Sequence, residues 1–439
     1  MKGLQNMSYK HENTPKILLD NKSICVLPWI HTSVKPNSEA KPCCRFQHYL
    51  PEHKDIKKVN VIDYKTPQEI LNSDAYKTLR EKMLRGETIP GCSKCYREEA
   101  RQGHSMRIGE WANYDSENIV NNNDLKLRYL EVAFGNYCNL ACRTCNSELS
   151  TNWYEDDVEL YKKRNYQDRK PWQKVTDVEY NWSGEELSEL VQIKFTGGEP
   201  MLHPNFIKFI DILIQSDVAK NITLEIFTNC SWIPKEKILS RLSKFKSLQI
   251  CMSIDGFGKI NDYLRHKSKW ETVHASLLAW LDYEKDNDNV QAILSPTISI
   301  YNMFDAFELA DKYAQYRIAR GLSVELKDMK ISTAVFPEYV NFRNVADKPK
   351  ALNYLDNLFN HYVKNFPDKE SEWGARHHTV NRMYTKIKNE LKNEKKGVHD
   401  KFVTFIRDLD ELRKQRLRDY IPNLYDYLEE CVWENYGKK

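Results

Sequence analysis

Residues 127–145 read LRYLEVAFGNYCNLACRTC. The first eight are rich in apolar and aromatic residues and predict a strand. The rest carries Cys138, Cys142 and Cys145 in the spacing C-x3-C-x2-C. Structural zinc sites and most iron–sulfur clusters take four protein ligands, and this stretch offers three. Three thiolates can hold three irons of a cubane and leave the fourth open to a substrate or cofactor, as a catalytic zinc keeps one position free. Spacing alone also allows a zinc site completed by a distant Cys or His.

Further β-like runs follow at 191–196, 222–228, 248–255, 290–300 and 322–331. Helical patterns lie between them at 203–216, 234–245, 270–285 and 303–317. Alternating β and α segments predict a parallel sheet with crossover helices. Six such units form an open or partial barrel, and ligand sites in that architecture lie at the C-terminal ends of the strands. The cysteine triplet directly follows the first of them.

The flanks differ in character. Residues 1–20 read as a loose tail, polar and without the apolar segment of a signal peptide. Residues 21–114 are cysteine-rich, with a helical pattern at 66–86 that Thr66 would cap and Gly86 would stop. Residues 115–126 read as a polar linker, 127–335 as the barrel and 336–439 as a helical extension. The stretch KIKNELKNEKKGVHDK reads as a basic, solvated face.

Composition sets bounds. The chain has 439 residues, 41% apolar and 29% charged, as in soluble globular proteins. A net charge of +4 does not indicate a nucleic-acid partner, and no apolar run is long enough to predict a membrane span. Eleven cysteines, an odd number, argue against a disulfide framework and for a reducing compartment, the cytoplasm. Seven of them fall in three tight groups.

The second cysteine set lies upstream. CVLPWIHTSVKPNSEAKPCC (25–44) places Cys25 and Cys43 or Cys44 on either side of a hairpin that turns at 36–39. GCSKC (91–95) adds Cys92 and Cys95 as C-x2-C. Two thiolate pairs can close either a zinc site or a [4Fe–4S] cluster.

The triplet CNLACRTC, followed one strand later by FTGGEP (195–200), resembles the radical S-adenosylmethionine (radical SAM) superfamily. The fold this implies is α/β: a partial (β/α)6 TIM-like barrel. The N-terminal segments, with C-x2-PW, KPCC and GCSKCYREEARQGHSMR, resemble the twitch and SPASM auxiliary-cluster modules. Five cysteines there limit the module to one cluster. Such modules usually follow the barrel in the chain, and here the module precedes it.

The resemblance implies roles by position. Cys138, Cys142 and Cys145 would hold a [4Fe–4S] cluster that binds S-adenosyl-L-methionine. Gly197, Gly198 and Glu199 would meet the methionine amino group, since glycines permit close backbone approach. Thr228 and Asn229 would line the cofactor pocket, and Ser253 and Asp255 would take the ribose hydroxyls. Arg265 would pair with the cofactor carboxylate through its forked donors, and Ile298 and Asn302 would contact adenine. Cys25, Cys43, Cys92 and Cys95 would hold the second, auxiliary [4Fe–4S] cluster. Two positions depart from the pattern: Thr144 stands where an aromatic residue is frequent, and Cys230 replaces the usual glycine after Thr-Asn, reading as a buried, inert thiol. His104, Tyr137 and Cys251 are further residues that could face the site.

The implied function is reductive cleavage of S-adenosylmethionine to a 5′-deoxyadenosyl radical. That radical would abstract hydrogen from a peptide or protein, for oxidation, crosslinking or epimerisation, with electrons from a flavodoxin or ferredoxin. A small molecule, sugar or nucleotide is the alternative substrate. A zinc-stabilised or electron-transfer binding protein is the alternative of another class, although a zinc scaffold has no need of TGGEP beside a three-cysteine site.

Overall fold

The structure is a computed structural model describing residues 15–47, 57–164, 180–345, 347–364, 370–392 and 399–429. Cys431, residues 1–14 of the expected tail and residues 393–398 of the basic stretch lie outside the described residues. The chain forms two compact units. One comprises 1–136, 175–226 and 240–248; the other comprises 137–174, 227–239 and 249–439.

The first unit is built on strands β1 (His31–Val34), β2 (Glu39–Lys41), β3 (Val59–Asn60), β4 (Tyr129–Val132), β5 (Gln192–Phe195) and β6 (Thr223–Thr228), the last ending in the second unit. Their order is β3-β2-β1-β4-β5-β6. The hairpin expected at 25–44 forms: β1 pairs antiparallel with β2, Ser33 opposite Lys41. β1 also runs parallel to β4, with Ser33 opposite Glu131, so the cysteine-rich segment extends the parallel sheet. β4, β5 and β6 continue it in parallel register. Phe134, Phe195, Phe206 and Phe209 form an aromatic core; the Phe195 and Phe206 rings lie 5.1 Å apart, edge to face.

Thr66 caps its helix as expected, its hydroxyl accepting from the Glu69 N–H at 3.2 Å, and Gly86 follows the last turn at φ +72°. Between them the pattern divides into Pro67–Leu71 and Asp74–Leu84. Asn72 and Ser73, whose side chains compete for backbone hydrogen bonds, mark the break. Two other stretches are more ordered than their composition predicts. Ser116–Asn121, inside the expected linker, is a short helix burying Ile119 and Val120. Lys16–Asp20, inside the expected tail, is a turn of helix burying Leu18.

The second unit carries most of β7 (Ser247–Met252), with β8 (Val290–Leu294) beside it, and the two-stranded pair β9 (Thr297–Ile298) and β10 (Ser332–Thr333). The single strand expected at 290–300 divides between β8 and β9. Pro296 lacks the N–H that a continuous ladder needs. The strand expected at 322–331 is replaced by a 3-10 turn, Leu326–Asp328, closed by a capping box between Glu325 and Asp328. Asp328 is buried against Arg317, which fixes that turn. Helices Trp270–Lys285 and Ala306–Ile318 fall where their periodicity predicts. The extension is helical, with Lys348–Lys364, Glu370–Leu391 and His399–Arg413. Among the described residues no helix is long and apolar enough to cross a membrane.

Candidate functional site

The loop after β4 carries the three cysteines, and its backbone is held at Cys138 and from Leu140 to Arg143. The Asn152 amide donates to the Cys138 carbonyl at 2.6 Å, and the Trp153 indole donates to the Cys142 carbonyl at 2.6 Å. The Ala141 and Arg143 N–H groups donate to the His266 and Leu264 carbonyls. Ser150 Oγ donates to the Leu140 carbonyl at 2.5 Å. Fixed backbone of this kind preorganises ligands before a metal arrives.

The sulfurs also have donors aimed at them. Asn229 Nδ2 lies 3.8 Å from Cys138 Sγ, and Arg265 Nη1 lies 3.5 Å from Cys142 Sγ. Burial pushes the thiols of Cys142 and Cys145 up, and Arg265 opposes this at Cys142. Burial alone would lower Arg265, but Asp255 and then Cys142 outweigh it and hold the guanidinium charged. Three thiols with N–H donors at two sulfurs match the chemistry of iron ligation by thiolate.

The remaining expected residues divide into two sets. Thr228, Asn229, Asp255, Arg265, Ile298 and Asn302 are buried, and Ser253 is half-buried. Asp255 and Arg265, expected at the ribose and at the carboxylate of the cofactor, form an ion pair at 3.0 Å. The second Asp255 oxygen accepts from the Thr297 N–H at 2.8 Å. Asn302 is a bracket: its amide donates to the carbonyls of Asp255 and Thr297, and its oxygen accepts from the Ser299 N–H. Both amide protons are therefore engaged within the chain, which removes Asn302 as a donor to adenine.

Gly197 lies at φ +73° and Gly198 at φ +36°. A Cβ on Gly197 would stand 2.7 Å from Ala133 Cβ and 3.2 Å from the Gly135 carbonyl, so only glycine fits. Glu199 beside them is 1% exposed. Cys230 is fully buried at φ +55°, a left-handed conformation that explains why glycine is usual there. Cys251 is buried with Lys330 Nζ 3.7 Å from its sulfur, and Tyr137 is exposed.

In the first unit, Cys25, Cys43, Cys92 and Cys95 line a single cavity, together with Arg45, Lys94 and Arg107. Cys44 does not line it: its thiol bonds to the Glu131 carboxylate. The two lie in a turn after β2 in which the Phe46 N–H donates to the Cys43 carbonyl, and the turn separates a pair that sequence spacing left equivalent. Burial pushes Cys25 up to about 12, so metal binding there must release protons. Arg107 donates to the Ile24 carbonyl at 2.9 Å and pairs with Glu99, setting a fixed positive charge at the cavity wall. Among the described residues, no three His, Cys, Asp or Glu side chains converge as ligands of a single metal ion.

Sequence reasoning missed the groups that hold the triplet loop from outside. Arg143, between the second and third cysteines, is fully buried; its guanidinium stacks 3.5 Å from the Tyr263 ring centroid and pairs with Asp410. Trp153, eight residues after Cys145, was legible only as an aromatic residue near the motif. Its ring packs under Arg413 at 4.6 Å.

Two family models match segments of the chain. The radical SAM superfamily matches residues 132–294, and the SPASM family, an iron–sulfur cluster-binding domain, matches residues 25–96. An uncharacterized protein of Methanocaldococcus jannaschii is 31% identical over 140 residues, covering 32% of this chain and 42% of that protein. The chain thus spans less than half the length of that curated relative. Among solved structures, anSMEcpe with bound AdoMet and Cp18Cys peptide is 17% identical, covering 54% of this chain and 60% of that one, with a TM-score of 0.32. Streptococcus suis SuiB bound to S-adenosylmethionine is 13% identical, covering 70% and 65%, with a TM-score of 0.34. The radical SAM match implies a [4Fe–4S] cluster with S-adenosylmethionine, and the SPASM match an auxiliary iron–sulfur cluster. Residues 132–294 thus match the radical SAM superfamily, and the match to the iron–sulfur cluster-binding SPASM domain, residues 25–96, precedes them in the chain.

Proposed function

We propose that the chain is a radical SAM enzyme that modifies a peptide or protein side chain by oxidation, crosslinking or epimerisation. Cys138, Cys142 and Cys145 would hold the [4Fe–4S] cluster, and Cys25, Cys43, Cys92 and Cys95 the auxiliary one. When bound, the first cluster and S-adenosylmethionine supply one-electron cleavage of a carbon–sulfur bond and a carbon radical that takes hydrogen from the substrate.

The chain's own residues bind, orient and shield. The observation that carries the reading is the pair of N–H donors, from Asn229 and Arg265, aimed at two of the three triplet sulfurs. Such bonds stabilise thiolate charge and tune the potential of what the thiolates hold. Gly197 and Gly198 offer closely approachable backbone, and Glu199 a carboxylate suited to an ammonium group. Thr228, Ser253 and Ile298 would form walls of the cofactor pocket. Arg45, Lys94 and Arg107 would balance the negative charge of a four-thiolate cluster. Electrons would come from a flavodoxin or ferredoxin, in a cytoplasm that keeps these thiols reduced. The peptide class rests on the pairing of the two domains.

The test is anaerobic reconstitution, assay of iron and sulfide, then addition of dithionite and S-adenosylmethionine. The expected result is about eight irons per chain, two cubanes, and formation of 5′-deoxyadenosine. Intact clusters without 5′-deoxyadenosine overturn the proposal.

A further inference from the structure

The parallel strands of the first unit have two unlike faces. Leu130, Ile193 and Leu224 lie in one register row and are fully buried, an ordinary apolar face. Offset by one residue, the row Ser33, Glu131, Lys194 and Glu225 runs across β1, β4, β5 and β6, and all but Lys194 are more than nine-tenths buried. His31 precedes Ser33 on the same side of β1, its ring 4.3 Å from that of Tyr129. A buried sheet with no other task fills both faces with apolar side chains, because burying polar groups is costly.

Three atoms of this cluster have no hydrogen-bond partner among the described residues: His31 Nε2, Ser33 Oγ and Glu131 Oε2. His31 and Ser33 are 0% exposed and Glu131 is 3% exposed. The character of each atom follows from its surroundings. His31 Nδ1 lies 2.9 Å from the Pro42 carbonyl. A carbonyl only accepts, so the proton sits on Nδ1 and Nε2 presents a lone pair. Glu131 Oε2 lies 3.8 Å from Lys194 Nζ, so its charge is matched while its hydrogen-bonding capacity is not filled. The row therefore lacks proton donors rather than positive charge.

We propose that His31, Ser33 and Glu131 form a binding site for a neutral group carrying hydrogen-bond donors, a hydroxyl or a carboxamide. An ammonium group is disfavoured because Lys194 already supplies the cation. The site requires neither cluster nor S-adenosylmethionine, and it extends the functional reading to a position on β1 and β4 beside Cys44, whose thiol bonds to the Glu131 carboxylate. A hydroxyl or carboxamide could come from a sugar-like ligand or from a peptide side chain, and the test separates them.

The full chain is labelled with 15N-histidine and titrated separately with glycerol, acetamide, methylammonium and acetate. The His31 Nε2 resonance, assigned by its loss in His31→Gln, is expected to move toward the hydrogen-bonded range with glycerol, acetamide or both. A response to glycerol alone points to a polyhydroxyl ligand, and one to acetamide alone to an amide side chain. Ser33→Ala and Glu131→Gln are each expected to raise the half-saturating probe concentration by about tenfold, the loss of one buried hydrogen bond. The wild-type titration stands even if a variant misfolds. A resonance already hydrogen-bonded in the protein alone means that trapped water fills the row, and overturns the proposal. So does a response to methylammonium or acetate as large as that to the neutral probes, or no response to any probe. The titration uses no reductant or cofactor, so its failure leaves the 5′-deoxyadenosine test untouched.

Discussion

The Arg143 guanidinium lies 2.5 Å from the Asp410 carboxylate, joining the cysteine loop to the helix His399–Arg413 across 267 residues of chain. Asp410 also accepts from the Tyr263 hydroxyl at 2.8 Å and from the Leu417 N–H at 2.9 Å. Arg143 donates further to Gln415 and to the Tyr263 carbonyl. The C-terminal extension is thus part of the scaffold of the triplet. Removing one partner strands the other's buried charge. Asp410→Ala is expected to destabilise the fold by ~3–5 kcal/mol and to lower iron retention at the triplet. Denaturant unfolding and iron assay measure both, with Asp410→Asn, which keeps the shape, expected between the two. Wild-type stability in Asp410→Ala would show that the pair is incidental.

The donors at the sulfurs give a separate expectation. Asn229→Ala removes the contact to Cys138, and Arg265→Lys removes the fork that reaches both Asp255 and Cys142. Each is expected to reduce 5′-deoxyadenosine formation by ~10–100-fold, the usual cost of losing a bond that orients a metal ligand. The cluster potential is expected to fall with it. A redox titration followed by electron paramagnetic resonance reads that shift, which a purely structural loss would not produce.

The two adjacent cysteines are separable by iron count. Cys43 lines the cavity with Cys25, Cys92 and Cys95, whereas Cys44 bonds to Glu131. Cys43→Ala is expected to lower iron from about eight to about four per chain, while Cys44→Ala keeps the full count. Equal losses would mean that either thiol can serve.

How much of this could be read from sequence depended on the range of the interaction. The triplet, TGGEP and the paired upstream cysteines are local patterns whose chemistry is carried by residue type and spacing. Thr66 and Trp270–Lys285 were legible for the same reason. Asp410 was not: nothing near it in sequence marks it as the partner of a residue between two cysteines. The bond from the Asn302 amide to the Asp255 carbonyl, 47 residues away, was likewise unmarked in the sequence. The strand expected at 322–331 failed because apolar alternation there competes with a capping box, and buried Asp328 favours the turn.

Gly197 tests the close approach by itself. Gly197→Ala places a methyl 2.7 Å from Ala133 Cβ in a backbone conformation at φ +73°. The conformation alone costs ~1–2 kcal/mol in an L-residue, and the contact adds to it. The variant is expected to fold with reduced stability and to bind S-adenosylmethionine more weakly, read by calorimetry on the reconstituted protein. Unchanged affinity with lowered stability would confine Gly197 to packing.

His31 links the polar row to pH. Burial lowers its ring to about 4, from an unfolded value of ~6.5. The Pro42 carbonyl and Glu131 oppose that shift, while Lys194 and Lys35 reinforce it. Between these two values the unfolded chain binds more protons than the folded one, so stability rises with pH across that window and is lost as pH falls through it. The full effect is ~3 kcal/mol. His31→Gln is expected to be less stable near neutrality but to lose this part of the slope. Denaturant unfolding at pH intervals across the window, on wild type and variant, gives the difference; parallel curves would mean that the ring is solvated and protonates freely in the folded state.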